Sequence, residues 1–186
     1  MGFDVKQFYE EVVSCQKCGL AATRNTVVFG EGSLHADVML IGEGPGQKED
    51  EQGRPFVGPA GQLLDEMLKE IGIQRKEVFI ANVVKCRPPR NRDPKPEEQE
   101  ACIGYLRRQV AMIRPKIIVC LGRIAAGVIL KRTVYMTREH GIWTEKNGFW
   151  ILPTFHPASL LHNNDYCMDA RADFRKIAEK IKELGV

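Results

Sequence analysis

Four cysteines set the tightest limit on how this chain can fold. Cys15 and Cys18 form a C-x2-C pair, and Cys86 lies far downstream with fifteen residues between it and Cys102. If one metal centre gathers all four, the N-terminal segment must meet a mid-chain loop. Four thiolates serve a tetrahedral zinc site or a cubane cluster, and ligand count alone leaves both open. Two further cysteines read differently. Cys120 sits in the run IIVCLG and is a buried strand residue, and isolated Cys167 is structural. Cysteine usage in a chain read as cytoplasmic argues for metal binding or burial over disulfides.

The pattern between the cysteines predicts one α/β domain over residues 1–186, a length ample for a real core. Residues 3–13 read as a short helix with Phe3, Phe8, Val12 and Val13 on its apolar side. Short apolar runs at 37–41 (DVMLI), 78–84 (VFIANVV), 117–121 (IIVCL) and 150–155 (WILPTF) read as buried strands. Between and after them lie helical patterns: GPAGQLLDEMLKEIGI stopped at Gly72, a helix opened by Pro96, GRIAAGVILK, and a closing amphipathic stretch at 169–184. Strands alternating with helices imply a three-layer α/β/α sandwich around a central four-stranded parallel sheet. The proline-containing segment 85–95 is an irregular loop of functional length.

No apolar run reaches the ~18 residues of a membrane span, and the acidic N-terminus does not resemble a secretory leader. Gln7 sits near where a myristoylation signal wants a hydroxyl. A net charge of +3 selects no partner by itself, but its distribution is uneven. Lys85, Arg87, Arg90, Arg92 and Lys95 crowd one loop against Asp93, and a second basic run lies between Arg171 and Lys182. Such loops suit a phosphate backbone, although a solvated surface has the same composition.

Three motifs follow strand ends: GEGPG (Gly42 to Gly46), Asn82-x2-Lys85-Cys86, and HPASL (His156 to Leu160). In open α/β sheets ligands bind beyond the carboxyl ends of the strands, so the topology brings all three to one edge. GEGPG lacks the Lys-Ser/Thr of a P-loop and the third glycine of a dinucleotide fingerprint. Its glycines let backbone approach a ligand, and a plain strand-to-helix turn is the alternative. The Asn82 carboxamide offers an acceptor and donors that match the N3–H and O4 of uracil. Cytosine would leave both groups unpaired, at about 1–3 kcal/mol each. A neutral His156 can donate to an oxygen that gains negative charge, and Phe56 in GRPFVG can stack on a base. A loop-capping Asn, a packing His and a core Phe are the plainer readings of these three.

GEGPG followed by Glu49-Asp50, GRPFVGPAG, NVVKCRPP, the cysteine spacing and HPASLL together resemble the uracil-DNA glycosylase superfamily, and within it the iron–sulfur family 4 enzymes. The resemblance runs from Cys15 to Leu161, and its specificity lies in the combination. It implies a monomeric enzyme that hydrolyses the N-glycosidic bond of uracil in single- or double-stranded DNA, leaves an abasic site and begins base excision repair. It further implies that Cys15, Cys18, Cys86 and Cys102 hold a [4Fe–4S] cluster, tying 15–18 to 86–102. In this scheme Phe56 stacks on the extruded base, Asn82 reads its edge, and His156 stabilises charge on O2. Gly42, Glu43 and Gly44 position the pyrimidine or the water, and Leu160 fills the space the base vacates.

Two departures stand out. Related families carry an Asp where Gly44 stands, leaving Glu43, Glu49 or leaving-group stabilisation to handle water. They carry a Tyr where Gly46 stands, leaving Glu49 as the candidate that crowds thymine's methyl group. Some cluster-bearing relatives attach covalently to DNA through a loop histidine. RPPRNRDPKPEE has none, so turnover is expected. A non-catalytic iron–sulfur or zinc module that binds nucleic acid is the competing expectation.

Overall fold

The computed structural model describes residues 4–186, so Phe3 lies outside the described residues. In chain order the elements are α1 (Val5–Val13), β1 (Glu31–Gly32), β2 (Val38–Gly42), α2 (Gln47–Gln52), α3 (Pro59–Glu70), β3 (Phe79–Asn82), α4 (Pro96–Ile113), β4 (Ile117–Leu121), α5 (Arg123–Leu130), α6 (Met136–Glu139), β5 (Thr144–Lys146), β6 (Phe149–Thr154), α7 (Pro157–His162) and α8 (Cys167–Leu184). Asp4 caps α1 by accepting from the Gln7 N–H at 3.0 Å, and proline stands in the first turn of α3, α4 and α7, where its missing N–H costs nothing.

Every strand read from the sequence forms, and these four make the parallel centre of the sheet. The sheet is nevertheless mixed. Its order is β1-β3-β2-β4-β6-β5, with β1 and β5 antiparallel at the edges. These two strands are two and three residues long, too short to carry an alternating pattern. β5 returns into β6 through Asn147-Gly148, both at positive φ, as a tight two-residue hairpin requires. Such short edges offer little template for pairing with another sheet.

The inner strands are apolar throughout because both faces are covered. Met39, Ile41, Phe79, Ala81, Ile118 and Cys120 point to one side, where α1, α4 and α5 pack. Val38, Leu40, Ile80, Ile117, Val119 and Leu121 point to the other, under α3 and α8. This two-residue alternation builds the expected three layers. From β2 the chain crosses to β3 on one side and later to β4 on the other. That reversal of order opens a crevice at the carboxyl end of β2.

α1 is anchored through Phe8, 1% exposed, whose ring meets Phe29 edge-on at 5.4 Å under the Arg108 guanidinium. Phe8→Ala is expected to destabilise the fold by about 3–5 kcal/mol, measured by urea denaturation.

Candidate active site

The β2–β3 register sets Gly42 directly beside Asn82. Past the strand ends the two chains stay joined, with Val83 N–H donating to Gly42 O at 2.9 Å and Val84 N–H to Glu43 O at 3.1 Å. A Cβ on Gly42 would lie 2.5 Å from Asn82 Oδ1 and 2.7 Å from Phe56 Cζ, so only glycine lets these two groups meet. Asn82 is 1% exposed, and its buried Oδ1 has no hydrogen-bond partner among the described residues. Behind it, Lys85 Nζ donates to the Asn82 carbonyl at 2.9 Å and to Gln109 Oε1 at 2.6 Å. Gln109 in turn donates to Phe29 O at 2.7 Å. The main chain of Asn82 is thus fixed while its amide oxygen waits for a donor.

Phe56 lies at φ +50, a left-handed conformation that costs a non-glycine residue about 1–3 kcal/mol. Two charged groups hold it there. Glu49 Oε1 accepts from Val57 N–H and Gly58 N–H, each at 2.9 Å. Arg75 donates to Phe56 O at 3.0 Å and also to Pro55 O, and is itself paired with Asp65 and Glu31. Gly61 completes the clamp, since a Cβ there would overlap the Phe56 carbonyl. The Phe56 ring stacks beside His156, with centroids 5.5 Å apart and planes 28° from parallel.

His156 is the N-cap of α7, and its Nδ1 accepts from the Ala158 N–H at 3.1 Å. Nδ1 is therefore unprotonated, and the ring proton sits on Nε2 as a donor. Burial pulls the imidazole down to about 4, against the opposing charge of Glu49. It is neutral across the physiological range.

Glu43, Glu49, Phe56, Asn82, Asp93 and His156 line one cleft of about 360 Å³. Burial, followed by the neighbouring Asp93 charge, pushes the Glu43 carboxyl up to about 7, while Arg123 pulls the other way. Glu49 faces the same cleft, but one oxygen is committed to the Phe56 turn. Its other oxygen stands where a side chain on Gly46 would go, 2.8 Å from that position.

The cysteines also converge. Cys15, Cys18, Cys86 and Cys102 line one small cavity with Arg24, Lys85 and Tyr105. Donors face three of the sulfurs: Lys17 N–H to Cys15 at 3.5 Å, Arg24 to Cys86 at 3.4 Å, and Lys85 N–H to Cys102 at 3.3 Å. Burial pushes the Cys86 thiol up to about 11 despite Arg24, and raises Cys102 as well. Thiolates this buried call for a cationic centre to ionise them. Among the described residues, no three His, Cys, Asp or Glu side chains close in tightly enough to ligate a single ion.

The uracil DNA glycosylase superfamily profile matches residues 29–182. This chain belongs to that superfamily. Within it, several relatives carry the type-4 name. A type-4 uracil-DNA glycosylase of Sulfurisphaera tokodaii is 46% identical across 94% of this chain and 84% of its own length. One from Thermotoga maritima is 45% identical across 95% and 94%, and one from Archaeoglobus fulgidus 44% across 91% and 89%. A type-5 enzyme of Pyrobaculum aerophilum is more distant, at 30%.

One assignment that the glycosylase resemblance implied is corrected by the geometry. Leu160 is 2% exposed and packs in the core under the sheet, so it cannot enter a DNA stack. The segment is a helix, α7, and its phase turns Leu160 inward and leaves Leu161 47% exposed. Sequence reading also passed over Arg75, Asp93 and Arg123 as site residues. Asp93 and Arg123 look like solvated surface, and Arg75 lies nineteen positions from the Phe56 it holds. Among the described residues, no helix is long and apolar enough to cross a membrane.

Gly42→Ala is expected to drive the Asn82 amide and the Phe56 ring apart. The overpacking should cost about 1–3 kcal/mol, read as a lower denaturation midpoint.

Proposed function

We propose that this protein hydrolyses the N-glycosidic bond of uracil in DNA, releasing the base and leaving an abasic site for excision repair. The observation that carries the reading is the unpartnered Asn82 Oδ1, buried in the cleft that Phe56 and His156 share. An acceptor at Oδ1 beside the amide N–H donors matches the N3–H and O4 of uracil, whereas cytosine presents a bare N3 and a donor amine in the opposite order. The type-4 and type-5 names of the relatives support the same substrate.

Uracil must leave the stack to enter the cleft, at a cost of a few kcal/mol. The exposed Leu161 at the end of α7 then takes the wedge role that Leu160 cannot fill. Phe56 stacks on the ring, Asn82 Oδ1 accepts N3–H, and its amide N–H donates to O4. As the bond from N1 to the sugar breaks, its electron pair passes to the base and gathers on O2. The neutral His156 Nε2–H donates there. A neutral donor suffices, because the charge develops in a site sheltered from water. The Glu43 carboxylate takes a proton from water, whose oxygen bonds to the anomeric carbon of the oxocarbenium-like sugar. Gly42 and Gly44 keep the loop thin enough for the pyrimidine to approach. Glu49 holds the Phe56 turn and fills the room beside Gly46, in the region where thymine's methyl group must be refused.

Cys15, Cys18, Cys86 and Cys102 hold a [4Fe–4S] cluster in this reading, joining segment 15–18 to 86–102. Four cysteine sulfurs lining one small cavity are the ligand set that such a cluster uses. The centre supplies a structural tie. Purified protein should be brown, with broad visible absorption and iron in place of zinc on metal analysis.

Asn82→Ala removes two hydrogen bonds worth about 1–3 kcal/mol each, so uracil release from a labelled oligonucleotide should fall by about thirty-fold or more. Affinity for undamaged DNA should hold, and equal loss of both would mean a folding defect or a binding module. Because Glu43 works ionised and its carboxyl lies at about 7, release should weaken as pH falls, by about a hundred-fold at pH 5. His156 remains neutral through that range and adds no second limb.

A further inference from the structure

Past the end of β1 the outer edge of β3 has no strand beside it. β1 pairs with β3 only at Phe79 and Ile80, so the carbonyl of Asn82 lies beyond the reach of that ladder. Lys85 serves it instead. Its side chain folds back onto its own strand end, and Nζ donates to Asn82 O at 2.9 Å and to Gln109 Oε1 at 2.6 Å. Gln109, fully buried on α4, is locked in turn by its bond to Phe29 O at 2.7 Å. Lys85 is 1% exposed, and both of its acceptors are neutral amide oxygens. A buried ammonium held by neutral groups alone carries a desolvation penalty that an apolar side chain of the same length would avoid. The main chain of Lys85 has other partners. Its N–H faces Cys102 Sγ at 3.3 Å, and its carbonyl accepts from Val28 N–H at 2.8 Å. A change of side chain leaves both of those bonds in place.

We propose that Lys85 and Gln109 are positioning residues of the active site: a buried strut runs from α4 through the Lys85 ammonium to the end of β3 and sets where the Asn82 amide meets a base. Neither residue lines the cleft, and both act through Asn82. An ammonium suits this task because a charge-assisted hydrogen bond is about twice as strong as a neutral one. The inference rests on Asn82 being the reader of the base in the proposed reaction.

A double-mutant cycle separates positioning from packing. Lys85→Met keeps the length of the side chain and removes the strut. Single-turnover uracil release from a labelled oligonucleotide should then fall about ten-fold. In an Asn82→Ala background the same change should lower release by no more than about two-fold, because the strut has no amide left to aim. Gln109→Leu should act in the same direction and add little on top of Lys85→Met. Affinity for undamaged DNA and metal content per chain should match the unmodified protein, since the main-chain N–H still faces Cys102.

Equal losses from Lys85→Met with and without the Asn82 amide would make Lys85 a packing residue and overturn the proposal. Undiminished release in Lys85→Met would do the same, as would a loss of metal that accounts for the loss of release and assigns the lysine to the cysteine cavity. Urea denaturation checks that each variant folds. If Lys85→Met does not, Gln109→Leu carries the same cycle, and failure of both to fold assigns the strut to the fold and refutes a role in the site. If the unmodified protein releases no uracil, or Asn82→Ala releases it normally, the functional reading fails first. A loss in Asn82→Ala beside full release in Lys85→Met refutes the strut alone.

Discussion

The close approach of β2 to β3 at Gly42 and Asn82 is the constraint on which the site depends. Parallel pairing puts these residues side by side, and glycine leaves the gap that the Asn82 amide and Phe56 ring fill. Lys85 secures the backbone at Asn82 from behind, which fixes where the amide meets the cleft. An unmatched acceptor of this kind is costly to keep buried, by about 1–3 kcal/mol. The surrounding sheet, apolar on both faces, provides the stability against which that cost is set.

Phe56 carries a second local cost. Its left-handed backbone is held by Glu49 on the amide side and Arg75 on the carbonyl side, with Gly61 leaving room for the turn. Charged groups that elsewhere in such a cleft would do chemistry are here spent on shape. The division of labour among the three acids follows from their surroundings. Glu49 is tied to backbone N–H groups, Asp93 is tied to a guanidinium, and Glu43 is left with a carboxyl poised near neutrality.

Much of this was legible in the sequence. The four inner strands announce themselves as apolar runs closed by glycine or a motif, because a doubly covered strand has no polar face. The edge strands were not legible: Glu31–Gly32 and Thr144–Lys146 are strands only by virtue of their neighbours. Asn82, Phe56 and His156 could be picked out because each ends or follows a readable element. Which leucine stands exposed could not, since choosing Leu160 or Leu161 depends on the phase of a six-residue helix beginning inside the motif itself. Asp93, Arg75 and Arg123 escaped for another reason. A charged residue shows its partner only in three dimensions, and Asp93 and Arg123 are thirty positions apart.

Lys85 joins two regions that otherwise look separate. Its main-chain N–H meets the Cys102 sulfur while its ammonium grips the Asn82 carbonyl. The residue proposed to read the base and the cysteine scaffold thus share one side chain as a common hinge-pin. Under the proposed function, damage to the sulfur-lined chamber would reach the choice between pyrimidines through Lys85.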